Sequence, residues 1–233
     1  MSVFSFKYFQ IIQEHAALKV GTDSMLLGSL CHWKNPKRLL DIGTGTGVLA
    51  LMCAQRFPFS EITGVELSHE ACIDAKNNAR NNPFQSRISI INQAIQEYRP
   101  EGPFDAIISN PPFFENSLKN QNEHKALARH TGTLSFSHLI ESVSRLLSTD
   151  GKAWFILPFD SKEGLFQLAI ANGLIVSDLI TLFGKPEKAT RIILGLTKQA
   201  AELKESSLCI RTEDGAYTEA YKVLTKEFHD REL

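Results

Sequence analysis

The 233-residue chain carries 25 Lys and Arg against 26 Asp and Glu, a formal net charge of −1, and is 43% hydrophobic and 22% charged. At about 150 residues per domain this is one domain with at most a small appendage, large enough to fold without a disulfide or metal staple. The composition excludes disordered, collagen-like and coiled-coil chains, and the near-zero charge excludes the overall basic footprint of a nucleic-acid coat protein.

The N-terminus, Met1-Ser-Val-Phe-Ser-Phe-Lys, lacks the basic segment and apolar run of a secretory signal. No stretch of about 18 apolar residues could span a bilayer, so a cytoplasmic protein with no membrane contact is expected. Residues 1–36 read as a helical leader on the ligand side, with helices over Lys7–Leu18 and Asp23–Trp33 joined by Lys19-Val20-Gly21-Thr22. From Arg38 onward, short runs rich in Ile, Val and Leu read as strands: Arg38–Ile42, Ile62–Leu67, Arg87–Ala94, Phe104–Asn110, Gly151–Pro158, Leu174–Leu182 and Thr190–Lys198. Between them, Thr46–Phe57, His69–Asn82, Phe136–Ser148 and Ser161–Asn172 repeat apolar residues at helical spacing.

Such alternation predicts an α/β protein with a doubly wound, mostly parallel, seven-stranded sheet over residues 37–199. The loop Phe183–Ala189 is too short for a parallel crossover, so the last strand is expected to run antiparallel. Residues 200–233 form an extension of the same domain, with a strand over Ser206–Arg211 and a helix over Thr218–Phe228; their five Lys and Arg against eight Asp and Glu make this tail acidic. Cys31, Cys53, Cys72 and Cys209 are scattered, and the histidines show no metal-ligand spacing, so neither a disulfide nor a metal is expected.

Three motifs carry chemistry. Asp41-Ile-Gly43-Thr-Gly45-Thr-Gly47 lies at a strand–helix junction, where glycines permit φ > 0 and let backbone approach a ligand. A dinucleotide fingerprint would need a glycine at position 48, which is Val48, so a nucleoside ligand without a pyrophosphate is favoured. Glu66 stands nineteen positions past Gly47 at the end of the next strand, where an acid can accept bonds from ribose hydroxyls. Asn110-Pro111-Pro112-Phe113 follows the fourth strand. Its prolines hold Asn110 extended, which sets an amide acceptor beside an aromatic face, suited to a planar substrate with an exocyclic amine.

The order D-x-G-x-G-x-G, strand-end Glu, then N-P-P-F resembles the class I S-adenosylmethionine-dependent methyltransferases that act on amino groups, and the reversed last strand suits their Rossmann-like fold. Further segments make the resemblance narrower: Phe4-Ser-Phe-Lys-Tyr-Phe, Lys19-Val-Gly-Thr-Asp-Ser-Met-Leu-Leu-Gly, Asn110-Pro-Pro-Phe-Phe, Ala128-Arg-His and Tyr217-Thr-Glu-Ala-Tyr. Nearly end to end, the chain is similar to bacterial tRNA adenine-N6 methyltransferases that modify the adenine 3′ of the anticodon in a valine tRNA.

The resemblance implies S-adenosylmethionine as cofactor, held by Gly43, Gly45 and Gly47, with Glu66 at its ribose, Leu67 also among the cofactor-binding residues and Asp41 supporting the loop. It implies that Lys19, Gly21, Thr22 and Asp23 close over the cofactor. Gln93 and Ala94 occupy the place where the family often carries an acid near the adenine. Asn110 and Pro111 would orient the target nitrogen beside Pro112, and Phe113 would stack on the base. No dedicated general base is needed, since positioning alone can supply several kcal/mol. For the tRNA partner, Lys119, Lys125, Arg129 and His130 after N-P-P-F, and Lys185, Lys188 and Arg191 around the last hairpin, are the candidate contacts. The enzyme is expected to act as a monomer and not on DNA. The competing substrates are a guanine N2 in ribosomal RNA and a protein glutamine N5; a binding module without turnover is the non-enzymatic alternative.

Overall fold

The computed structural model describes residues 2–15, 19–112 and 134–231. Val3–Ser5 (β1) and Gln10–Ile12 (β2) pair antiparallel, with Phe4 opposite Ile11. This replaces the first part of the helix expected over Lys7–Leu18, whose residues 16–18 lie outside the described residues. Phe4 and Phe6, then Phe9 and Ile11, fall two apart, the period that puts strand side chains on one face. Phe6, Phe9 and Ile11 are buried, and the Phe6 and Phe9 rings stack 4.4 Å apart.

The main sheet contains Arg38–Ile42 (β3), Glu61–Glu66 (β4), Ile88–Asn92 (β5), Phe104–Ser109 (β6), Leu147–Pro158 (β7), Ile175–Lys185 (β8), Lys188–Thr197 (β9) and Lys204–Cys209 (β10). Their order is β10-β8-β9-β7-β6-β3-β4-β5. Among the described residues of this sheet only β9 is antiparallel to its neighbours, as the short connection requires. That connection is tighter than expected: Lys185 pairs with Lys188 across Pro186 and Glu187, and Glu187 takes φ 63°. The sheet has eight strands rather than seven, because the tail strand β10 joins its edge parallel to β8.

Helices Thr22–Leu30 (α1), Val48–Arg56 (α2), His69–Arg80 (α3), Phe136–Leu146 (α4), Lys162–Ala171 (α5) and Glu219–Thr225 (α6) cover the sheet. Side chains alternate between two cores. Trp154 and Ile156 of β7 pack with α1, α2 and the hairpin, whereas Ala153, Phe155 and Leu157 pack with α4 and α5. Each fully buried large side chain contributes about 1.5–3 kcal/mol.

Leader and tail meet on the first core: the Lys7 amide donates to the Phe228 carbonyl at 3.0 Å, and Phe6 meets Phe228 edge-on. Cys31, Cys53 and Cys72 are buried free thiols. Among the described residues no helix is long and apolar enough to cross a membrane. Strand order reverses between β3 and β6, and in open parallel sheets ligands bind at such a point, beyond the carboxyl ends of the strands.

Candidate functional site

Beyond β3 the chain turns through Gly43, Gly45 and Gly47 at φ of 67°, 57° and 82°, which glycine alone adopts without strain. The turn is pinned from below. The Gly43 and Thr44 amides donate to the Val65 carbonyl at 2.8 and 3.2 Å. Buried Asp41 accepts from Thr44 Oγ1 at 2.5 Å and from the Ala50 amide at 3.1 Å, while its Oδ1 has no partner among the described residues. Burial, assisted by the Glu66 charge, pushes the Asp41 carboxyl up to about 7 against the pull of those two bonds. A Cβ on Gly43 would meet nothing within 4 Å among the described residues, so the loop presents bare backbone on that side.

Glu66 ends β4 beside this loop. Its Oε2 accepts from the Gly45 amide at 2.9 Å and its Oε1 from the Ser68 amide at 2.8 Å. Ser68 caps α3 through a bond from the Ala71 amide at 3.2 Å. The carboxylate thus joins the glycine turn to the start of the next helix and keeps acceptor capacity to spare.

The leader approaches from the other side. Gln13 Oε1 accepts from the Val20 amide at 2.8 Å. His15 is held by Asp74, with Nδ1 2.8 Å from Oδ1 and its amide 2.8 Å from Oδ2; the hydrogen bond to Asp74 raises the imidazole pKa. Asp23, in the first turn of α1, pairs with Arg191 Nε at 2.9 Å. Next to it, Ser24 Oγ accepts from Asn110 Nδ2 at 3.2 Å, and Asn110 Oδ1 is buried without a partner among the described residues.

These elements enclose a cavity of about 420 Å³, within the range of small-ligand sites. Lys19, Gly43, Gly45 and Glu66 line it, as do Leu67, Gln93, Ala94, Asn110, Pro111 and Pro112. Gly21, Thr22, Asp23, Asp41 and Gly47 are not in the wall. Gly21 precedes α1 and Gly47 precedes α2, while Asp41 lies beneath the turn. Reading the sequence did not single out His15, Ser24, Thr44, Ser68, Glu70 or Gln96, which also line the cavity. Ser24 stands inside the quoted K-V-G-T-D-S segment, so a signal existed for it; His15 depends on a tertiary partner 59 residues away.

Lys185 and Lys188 are exposed on the β8–β9 turn, and Lys185 Nζ donates to the Glu213 carbonyl at 3.4 Å. Arg191 is engaged with Asp23 rather than directed outward alone. Phe113, Lys119, Lys125, Arg129 and His130 lie outside the described residues.

A family model for the methyltransferase small domain matches residues 15–158. The chain is 41% identical over 230 residues to the tRNA1(Val) (adenine(37)-N6)-methyltransferase of Pedobacter heparinus, spanning 97% of each chain. It is 39% identical over 230 residues to a protein of the same name from Pseudoalteromonas translucida, spanning 98% of this chain and 99% of that one. Among solved structures, a predicted O-methyltransferase from Agrobacterium tumefaciens superposes with a TM-score of 0.66 at 20% identity, covering 88% of this chain and 96% of the other. A putative RNA methyltransferase from Pyrococcus horikoshii gives 0.53 at 18% identity, with 75% and 79% covered. The last two likenesses are of fold.

Proposed function

Because the chain belongs to the methyltransferase small domain family, we propose that it methylates N6 of an adenine in tRNA, the adenine at position 37 of tRNA1(Val) that its relatives are named for. The cofactor, S-adenosylmethionine, supplies a sulfonium-activated methyl group when bound.

The donor and acceptor set suits that molecule. Bare glycine backbone at Gly43 and Gly45 offers close approach to its amino-acid part, and the Glu66 carboxylate offers acceptors to its ribose hydroxyls. Leu67, half-exposed at the rim, lies with Gln93 and Ala94 where a purine face can rest. Lys19 bounds the cavity from the leader side in this reading, with Gly21, Thr22 and Asp23 behind it at the start of α1, and Asp41 and Gly47 hold the turn in shape.

One observation carries the amine: the buried Oδ1 of Asn110 in the cavity wall, without a partner among the described residues. An adenine N6 has two N–H bonds and a lone pair delocalised into the ring. Asn110 Oδ1 and the Pro111 carbonyl would accept those two bonds and aim the nitrogen at the methyl group. Phe113 would stack on the base, a contact worth about 1–3 kcal/mol. Pro111 and Pro112 fix the backbone so that these acceptors are in place before the substrate arrives. Lys119, Lys125, Arg129, His130, Lys185 and Lys188 supply phosphate contacts in this reading, with Arg191 set behind them. A monomer acting in the cytoplasm suffices for this chemistry.

The test is to incubate the protein with S-adenosylmethionine and RNA from cells lacking its gene, then identify methylated nucleosides by mass spectrometry after fractionation. N6-methyladenosine confined to the tRNA fraction is expected. N2-methylguanosine in ribosomal RNA, or no RNA methylation together with methylated protein, would overturn the reading.

A further inference from the structure

S-adenosylmethionine carries all its charge in the amino-acid part: the sulfonium and ammonium are positive, and the carboxylate is its one anion. Among the described residues, the side chains lining the cavity that can carry charge are Glu66, Glu70, Lys19 and His15. The two acids suit the cationic groups, so a cation that answers the carboxylate comes from the leader. Lys19 is exposed and ends a flexible stem. His15 is held in place by the fold.

Its anchor is Asp74 of α3, itself 2% exposed, whose Oδ2 accepts from the His15 amide at 2.8 Å and whose Oδ1 lies 2.8 Å from Nδ1 of the ring. One turn further along the same face of α3, Asn78 grips Ile12 by both ends of its amide. The Val20 amide donates back to Gln13 Oε1 at 2.8 Å. Backbone and side chain together therefore fix an imidazole that is still about half exposed. An ionised carboxylate only accepts, so Nδ1 carries a proton and Nε2, on the opposite edge of the ring, is left for a ligand.

The same bond governs the charge. It raises the imidazole pKa above the ordinary 6.5 against the opposing effect of desolvation, and the charges of Asp74, Glu14 and Glu70 act in the same direction as the bond. Below the raised value Nε2 is a charged donor. Above it Nε2 is a bare acceptor, which a carboxylate cannot pair with.

We propose that His15, gripped by Asp74, binds the carboxylate of S-adenosylmethionine beside Lys19, so that capture of the cofactor tightens as the leader takes up a proton. This rests on the placement of the cofactor's amino-acid part at the glycine turn under Proposed function.

The experiment pairs S-adenosylmethionine with its decarboxylated form, which keeps the sulfonium, amine, ribose and adenine and lacks only the anion. By calorimetry at pH 6, wild type should bind the full cofactor at least about tenfold more tightly than His15→Asn does, because a charged hydrogen bond is lost. For the decarboxylated form the two proteins should agree within about twofold, which also shows that the variant is folded. The wild-type advantage is complete below the ordinary imidazole value and is lost as pH rises through the raised one, so at pH 9 it should fall below about threefold. Taking the ratio of the two proteins at each pH cancels the titration of Asp41, Glu66, Glu70, Lys19 and the cofactor's own amine. His15→Arg, charged at both pH values, should keep the preference for the full cofactor at both. If His15→Asn weakens both forms alike, or the ratio is the same at pH 6 and pH 9, His15 merely holds the leader and the proposal is wrong, while the placement of the cofactor stands. If wild type itself binds both forms equally, the cavity does not read the carboxylate, and that placement fails together with the proposal.

Discussion

Thr44 Oγ1 donates to Asp41 Oδ2 at 2.5 Å inside the glycine turn, and the other oxygen of the same carboxylate has no partner among the described residues. A fully buried acid with one oxygen unpaired is a costly group to ionise, and burial raises its carboxyl to about 7. The folded-state value lies above the ordinary one, so the neutral acid is the form the fold prefers. Its stabilising contribution is complete below the ordinary pKa near 4 and is lost as pH rises toward 7. Asp41→Asn removes this titration and keeps an oxygen for Thr44 and Ala50. The melting temperature of the variant relative to wild type is therefore expected to rise between pH 5 and pH 8. A difference that stays flat or falls across that range would refute the assignment.

Asn78 of α3 joins the leader to the site. Its Oδ1 accepts from the Ile12 amide at 2.8 Å, and its Nδ2 donates to the carbonyls of Ile12 at 2.8 Å and Thr46 at 2.9 Å. Asn78→Ala breaks three bonds, one buried and two part-buried, at about 1 kcal/mol each, which corresponds to a fall of roughly 6–12 °C in melting temperature for a domain of this size. Exposed Asn77 supplies the control. Its alanine variant should stay within about 0.5 kcal/mol of wild type by denaturant titration.

That side chain also shows what sequence reading could reach. The strands from β3 to β9 were legible because each is a short apolar run bounded by turn residues, and the reversal of β9 followed from a connection too short for a crossover. The hairpin was not, although its spacing of two is plain in Phe4, Phe6, Phe9 and Ile11. A few residues further on, Ile12, His15 and the segment to Leu18 also satisfy a helical spacing. What decides between them is Asn78, 66 residues away, together with Phe228 from the tail, and no local window contains either. The glycine turn, Glu66 and Asn110 were legible for the opposite reason: their roles depend on backbone geometry at strand ends. The contact between Asn110 Nδ2 and Ser24 Oγ was not, because its partner stands 86 positions earlier.

Glu66 has two tasks, holding the Gly45 amide and offering acceptors to a ribose, and two substitutions separate them. Glu66→Gln keeps one oxygen for the loop and replaces the other by a donor. Glu66→Ala loses both. A hydrogen bond to a charged group contributes about 1.5–3 kcal/mol, so Glu66→Ala is expected to weaken S-adenosylmethionine binding by about tenfold or more. Glu66→Gln should fall between it and wild type, by calorimetry at constant pH. Equal affinity in all three proteins would remove Glu66 from the cofactor site.

Arg191 and Lys188 differ in what holds them, and salt should tell them apart. Arg191 Nε is paired with Asp23 at 2.9 Å, with both side chains about one-third exposed; such a pair stabilises by at most about 1 kcal/mol. Its charge is already answered within the protein, so Arg191→Ala should lower turnover, through the looser first turn of α1 beside Asn110, without changing how tRNA binding depends on salt. Lys188 is exposed at the β8–β9 turn. A lysine bound to phosphate releases a counterion, so Lys188→Ala should reduce the slope of log affinity against log salt by about one. Filter binding of tRNA across a salt series measures both slopes. A change of slope in the arginine variant, with none in the lysine variant, would reverse the two roles and place Arg191 on the RNA instead of behind the helix.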